Sequence, residues 1–345
     1  MEEINMGNTA EHCDAITDEM WASVNRFNRQ MAEEYLDNAT HLSRKSHKQY
    51  VSALKIYLYW IKEFKDDKKC VDIKAKDFMM YQNSLYKRGI SESGMKFKRS
   101  VISSFNQYIM LYYEEEYPVF RNYVTKQIVV PKTGFVHKKE PLTPEEYEKL
   151  CNYLEEKELW EHLAYLKFSY STGCRREEAR LLLKEVVNYE PQKKMVKIKD
   201  ENGKESEMEA IAYRTHDIRC KGKGEIGKVR KLQYGEDAME ALKKWIEVRG
   251  DDDNPYMFVR KTKDGKRCDQ ISDTGFNYWC HKIFEPVIGR RIHPHLFRES
   301  KATNMVVYEK KSIEVAQRLL GHNSSETTKI YVISDAESDA FDAFV

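Results

Sequence analysis

Residues 319–331 read LLGHNSSETTKIY and set a histidine, His322, nine positions ahead of a tyrosine, Tyr331, across a Ser/Thr-rich break. A phenol titrates near ~10, so it is a poor nucleophile at neutral pH unless a base takes its proton or its anion is stabilised. If Tyr331 reacts, the rest of the chain must supply cations. Two upstream stretches can. After a break at Thr172 and Gly173 comes CRREEAR, in which Arg175 and Glu178 stand three apart and so share a helix face. In HPHLFR, His295 and Arg298 are three apart behind Pro294, which restarts a helix, so both can face one cavity. Singly, each has a plainer reading: a surface ion pair opening a helix, or one packing tyrosine among 22.

The elements that must position these residues fall in two halves. In the first, Thr17 caps an amphipathic helix with Met20, Val24, Phe27 and Met31 at helical spacing. A second helix covers residues 43–64 with Tyr50, Leu54, Tyr57, Leu58 and Ile61 on one face. Its first turn carries Arg44, Lys45, His47 and Lys48. Cations there oppose the helix dipole, and a phosphate backbone approached by that end would explain them, as a solvated basic turn would too. Helices over 76–88 and 92–113 follow. The latter is capped by Ser91, buries Val101, Phe105, Ile109 and Tyr112, and opens on Lys96, Lys98 and Arg99.

Residues 127–141 mix two prolines, a glycine and cations without period and read as a linker. Thr143 and Pro144 then start a helix carrying Tyr147, Leu150, Cys151 and Leu154, and another covers 159–171. Strands are predicted over 195–198, 207–219 and 228–232. The turn between the last two, CKGKGEIG, gathers Lys221, Lys223 and Lys228 around glycines, which suits entry into a groove or a merely solvated turn; GxxxxGK[ST] is absent, so it is no phosphate loop. Helices over 237–248 and 272–284, a strand over 256–259 and a helix over 312–320 complete the half. His281 and Cys280 read as core, His293 as a support to its neighbours and Tyr308 as packing.

At 345 residues the chain is long enough for two domains, and 41% apolar residues can bury both cores. Its net charge of +2 despite 33% charged residues means that any basic surface must come from local clustering. Seven cysteines form no CxxC pair, which argues for reduced thiols and against a disulfide framework or a zinc site. With no signal-like N-terminus and no membrane-length apolar run, a cytoplasmic location is expected.

Arg175 in TGCRREE, His295 and Arg298 in PHLFR, and His322 with Tyr331 in LGHNSSETTKIY together resemble the motif set of the tyrosine recombinases, the phage-integrase family, in that family's order and with its usual interval between the last two. The resemblance covers residue 142 onward and extends only loosely to the helices before it.

It implies a mainly α fold with a small antiparallel sheet in the catalytic domain, arranged as a two-domain, C-shaped DNA clamp. Residues 1–16 would be disordered, 17–125 a helical core-binding domain, 126–141 a linker and 142–345 the catalytic domain with its tail. Arg175 and Arg298 would clamp a scissile DNA phosphate, His322 would add a hydrogen bond, and His295 would take the proton of the nucleophile Tyr331. Lys223, or Lys221 if the long loop shifts the register, would protonate the leaving 5′ oxygen, and Glu178 would orient the site. Arg44, Lys45, Lys48, Lys96, Lys98 and Arg99 would meet the DNA.

The implied reaction passes through a 3′-phosphotyrosyl link to strand exchange and needs no cofactor and no metal. The implied partners are double-stranded DNA bearing a specific site, three further copies in a synaptic tetramer, and a directionality factor. The acidic tail with Phe341, Phe344 and Val345 would dock on a neighbouring protomer. Rival readings are a type IB topoisomerase and a DNA-binding relative without catalysis. Glu299 stands where the family more often has a basic or polar residue, and extra residues between Arg175 and Lys223 weaken the lysine assignment.

Overall fold

Thr17 caps the first helix as its sequence predicts, with its side chain accepting the N–H of Met20 at 3.2 Å. That helix, α1 (Asp18–Ala22), is short, and the single helix predicted here is two. Asn25 ends it. Its side-chain oxygen caps α2 (Arg26–Asn38) through the N–H of Asn28, and its amide donates to the Asp67 carbonyl at 2.7 Å. Pinning the turn to a residue 42 positions away outweighs the local preference to continue. The computed structural model describes residues 15–132, 140–199, 205–220, 228–262 and 267–321. The chain divides into two units, Met1–His137 and Lys138–Val345.

The first unit continues with α3 (Arg44–Phe64), α4 (Ala75–Lys87) and α5 (Glu92–Tyr112). Ser43 and Ser91 cap α3 and α5, each accepting an N–H three residues on. Leu54, Tyr57, Leu58 and Ile61 of α3 meet Phe78 and Tyr81 of α4 and Val101, Phe105 and Ile109 of α5 in one buried cluster. At a site like Leu54, truncation to alanine costs about 2–5 kcal/mol. Tyr112 departs from the predicted stripe: it is 66% exposed and rests on Tyr108 in the last turn of α5, beyond the core.

In the second unit Thr143 and Glu146 form a reciprocal cap on α6 (Pro144–Glu156). Next, α7 (Trp160–Thr172) stops at Gly173, whose φ of +56° favours glycine, and α8 (Arg176–Arg180) begins three residues later. The predicted long strand splits. Its first part, β2 (Glu205–Arg214), pairs antiparallel with β1 (Gln192–Lys199) and, at its end, with β5 (Gln233–Tyr234). Its second part, β3 (Ile218–Cys220), pairs with β4 (Lys228–Arg230). Between them Thr215 exchanges hydrogen bonds with the Leu232 backbone and His216 accepts from the Leu183 N–H, which turns the chain out of β2.

After α9 (Glu236–Arg249) comes a hairpin, β6 (Val259–Lys261) and β7 (Arg267–Gln270); the predicted strand over 256–259 survives only as a bridge from Tyr256 to Leu183 and the start of β6. The helix predicted over 272–284 runs from α10 (Gly275–Trp279) through a π-helical turn (Cys280–Phe284) into α11 (Glu285–Ile288). The last described helices are α12 (Pro294–Val307) and α13 (Ile313–Leu320).

Helix α7 lies at the centre of this unit's core, where the Tyr165 ring stacks on Phe276 at 4.0 Å and meets Phe258 and Phe297 edge-on. Cys280 is buried there as expected, and Cys70, Cys151, Cys174 and Cys220 are likewise free and buried. His281 is not core: it is exposed and bonds Glu285 one turn on, because the helix presents only its other side to α7. Tyr308 is 54% exposed at the end of α12, so it does not pack as expected. The fold is mainly α with small antiparallel sheets, as the sequence predicts. No helix among the described residues is long and apolar enough to cross a membrane.

Candidate active site

Three arginines from distant parts of the second unit meet around one carboxylate and one carbonyl. Arg175 sits in extended conformation just ahead of α8, and Glu178 lies in the first turn of that helix. The Glu178 carboxylate accepts the Arg175 backbone N–H at 2.9 Å and its guanidinium at 3.0 Å. Glu178 is 1% exposed, whereas the Arg175 side chain is 32% exposed. The pair read from sequence therefore exists, but it is no surface ornament: the acid is interior and the arginine reaches outward from it.

Arg230 supplies the second cation. Its Nη2 donates at 2.8 Å to the Glu178 oxygen that also accepts the Arg175 backbone N–H, and its Nη1 donates to the Leu320 carbonyl at 2.7 Å and the Leu319 carbonyl at 3.3 Å. Burial pushes the Glu178 carboxyl up, yet Arg230 opposite it, with the Arg175 N–H and guanidinium, holds it below the ordinary carboxylate value. Arg230 was missed as a site residue. Its signal was faint: the β3–β4 register sets it opposite Ile218, on the inward face that Cys220 shares, so it is an arginine where an apolar residue would fit.

Arg298 is the third, and it is fully buried. Its Nη1 donates to the Gly173 carbonyl at 2.6 Å and its Nη2 to the Leu320 carbonyl at 2.8 Å. A closed circuit results: Arg175, Glu178, Arg230, the Leu320 carbonyl, Arg298, and Gly173 two residues before Arg175. Carbonyls at a helix C-terminus lack partners and carry negative partial charge, so the ends of α7 and α13 are natural seats for guanidinium groups. The two closing glycines fit this packing closely. A Cβ on Gly173 would meet Leu320 at 2.3 Å, and one on Gly321 would meet Arg230 at 2.4 Å, in addition to the strain of φ +56° and +66°.

His295, on the first turn of α12, is exposed, unlike Arg298 one turn on. His293 caps that helix, its ring nitrogen accepting the Leu296 N–H at 3.1 Å, which is a supporting role. Glu299 is buried beside Arg298 in sequence. His322, Tyr331, Lys221 and Lys223 lie outside the described residues, as do the N-terminal residues 1–14 and the acidic tail. The described chain stops at Gly321, one residue before His322, and the β3–β4 hairpin is described on both sides of the lysine turn.

In the first unit Arg44, Lys45 and Lys48 are exposed at the start of α3, and Lys96 is exposed and paired with Glu92 at 2.6 Å. Tyr50 and Phe97 touch at 6.0 Å between centroids, so the basic starts of α3 and α5 lie side by side. Lys98 is half-buried. Arg99 faces inward: it packs over Phe78, bonds Gln82, and donates to the Thr125 carbonyl at 3.0 Å, and burial lowers its pKa. Among the described residues no cluster of three or more His, Cys, Asp or Glu could hold a metal ion.

Comparison with known proteins places these features. The model of the phage integrase family matches residues 140–338. The chain is 32% identical to the SPbeta prophage-derived recombinase-like protein YomM of Bacillus subtilis over 336 residues, covering 96% of this chain and 94% of that one. It is 33% identical to the tyrosine recombinase XerC of Shewanella sp. over 133 residues, covering 37% of this chain and 42% of that one. In fold it is similar to the XerH site-specific recombinase bound to palindromic difH substrate in a post-cleavage complex, with a TM-score of 0.62, 20% identity, and coverage of 92% of this chain and 84% of that one.

Proposed function

The chain belongs to the phage integrase family, and from that membership we propose how its residues divide the work of a site-specific tyrosine recombinase, which cleaves and rejoins DNA. The observation that carries the division is the arginine circuit, in which Arg298 donates to the carbonyl of Leu320, two residues ahead of His322, and Arg175 is tied to the same carbonyl through Glu178 and Arg230. Attack on a phosphodiester builds negative charge on a five-coordinate phosphorus, and fixed cations aimed at its non-bridging oxygens stabilise that state more than the ground state. A guanidinium suits this because it is planar, permanently charged and able to hold two oxygens.

Tyr331 attacks the phosphorus, its proton passing to His295, while Arg175, Arg298 and His322 hold the phosphate oxygens. The bond to the 5′ oxygen breaks as that oxygen takes a proton from Lys223, or from Lys221. The product is a 3′-phosphotyrosyl link and a free 5′ hydroxyl. One ester replaces another, so rejoining needs no further energy source. Arg298 is held by the carbonyls of Gly173 and Leu320 through its two terminal nitrogens, each of which carries a second N–H.

The paired basic helix starts of the first unit grip the duplex backbone. Residues 17–125 act as the core-binding domain and residues 142–345 as the catalytic one. Four copies assemble in the synaptic complex in the cytoplasm, joined by their tails, and a directionality factor biases integration against excision. Support for a DNA substrate comes from the XerH structure, which is bound to palindromic difH substrate in a post-cleavage complex.

Tyr331→Phe decides the reading. It should bind a cognate duplex as the wild type does and form no covalent adduct on a denaturing gel. An adduct that survives the substitution overturns the nucleophile assignment.

A further inference from the structure

Arg230 joins both halves of the arginine circuit. Its Nη2 is on the Glu178 carboxylate, which holds Arg175, and its Nη1 is on the carbonyls that end α13 and lead into His322. Its Nε is buried with no acceptor among the described residues, and beside these two forks the guanidinium meets only the Cys220 thiol there. Gly321 leaves it room, since a Cβ there would lie 2.4 Å from Nη1. A guanidinium can hold two acceptors at fixed spacing, which a single ammonium cannot.

Resting on the recombinase reading above, we propose that Arg230 is a positioning residue of DNA cleavage: it sets the first phosphate-binding arginine and the C-terminal end of α13, which precedes His322 in the chain, at one fixed spacing. Arg230 does not itself touch the DNA. Its loss leaves each half folded but free to shift relative to the other. A displacement of about 1 Å at a reacting centre is enough to slow a reaction about 10²-fold.

Charge and geometry are separable here. The groups facing Glu178 among the described residues are Arg175 at the start of α8, Arg230 on β4, and the thiols of Cys174 and Cys220. Burial pushes the Cys174 thiol up to about 11 and the Cys220 thiol up as well, so both are neutral near pH 7. Without Arg230, only Arg175 opposes the burial that pushes the Glu178 carboxyl up, and the carboxylate is lost at a higher pH than in the wild type.

The experiment uses the full chain and a nicked duplex that the wild-type chain itself selects from a randomised pool, so that the covalent adduct is trapped. Adduct formation is followed at saturating protein across neutral and acid pH, with affinity read separately by gel shift. Arg230→Met should slow the adduct about 10²-fold, keep DNA affinity, and lose rate toward acid pH earlier than the wild type. Arg230→Lys restores the cation but not the fork, so the acid limb should return to its wild-type position while the rate stays low.

A wild-type rate in either variant overturns the proposal, as does full recovery of rate by lysine or a loss of rate matched by an equal loss of affinity. Should Arg230→Met fail to fold, Arg230→Lys decides alone: a lowered rate at unchanged affinity supports the positioning role, and a wild-type rate ends it. The two readings fail differently. If the wild type forms no adduct with any selected duplex, the recombinase reading falls; if it does and the Arg230 variants keep pace, only the positioning role falls.

Discussion

The first unit presents cations on exposed helix starts, while the second ties Arg175, Arg230 and Arg298 to fixed acceptors, Arg298 with no exposed surface. Arg44, Lys45 and Lys48 are exposed at one end of α3, on flexible stems that can follow a duplex backbone. Arg298 has no exposed surface, and Arg175 and Arg230 share a carboxylate that is 1% exposed. Both regions are cationic, yet they are built for different work. A grip on many phosphates tolerates loose geometry, because its energy comes from counterion release. Stabilising one transition state does not, because the donors must already stand where the charge develops.

The contrast breaks most sharply at Arg298. Arg298→Lys keeps the charge but has one nitrogen where the arginine places two, on the carbonyls of Gly173 and Leu320. Loss of a fixed donor to a transition-state oxyanion costs roughly 10²–10³ in rate. An unsatisfied buried carbonyl adds about 1–3 kcal/mol of destabilisation. Adduct formation should fall by at least that factor at unchanged DNA affinity, with a lowered melting temperature. A variant that cleaves normally would show that the buried fork is only structural.

How far the sequence exposed this contrast depends on the range of each interaction. Arg175 and Glu178 were legible because their contact is local, one helical turn apart. Helix starts at Ser43, Ser91 and Thr143 were legible for the same reason, since a cap and its N–H lie within three residues. Arg230 was not: its partners lie 52 and 90 residues away, and only strand pairing turns it inward. The same limit misplaced Arg99, which spacing puts beside Lys96 and Lys98 but whose acceptors on Gln82 and Thr125 come from other segments. The break at Asn25 was hidden likewise, because Asp67, which holds it, is remote.

A smaller effect is expected from Glu178→Gln, read by acid denaturation. The Glu178 carboxyl is held below its ordinary value of 4.5, burial opposing and Arg230 with Arg175 prevailing. Its unfolded form therefore binds a proton more readily than its folded form. The stability it adds is fully present above about pH 4.5 and drains away as pH falls through the depressed folded value. Glutamine carries no such term. The melting temperature of the variant should be lower than that of the wild type near neutrality and converge on it in acid, and parallel curves would remove the carboxylate from the account. Glutamine also leaves Arg175 and Arg230 facing each other uncompensated, so the adduct rate should fall with it, less than in Arg298→Lys because both cations remain.

The gentlest test lies in the first unit. If Arg44, Lys45 and Lys48 only neutralise phosphates, replacing them with alanine should weaken DNA binding without altering the adduct rate once DNA saturates the protein. Each phosphate that the variant no longer neutralises should make the negative slope of log affinity against log salt shallower by about 0.9. The melting temperature should hardly move, because these residues are exposed. Arg99→Met gives the internal control, since that side chain packs on Phe78 and ties α5 to Gln82 and the Thr125 carbonyl. It should lower the melting temperature and leave the salt slope as it was. A changed slope in Arg99→Met would mean that Arg99 leaves its internal acceptors when DNA arrives. An unchanged slope in the α3 variant would move the duplex to another face of the unit. Either result would redraw the division between a gripping surface and a fixed interior at the residue where it fails.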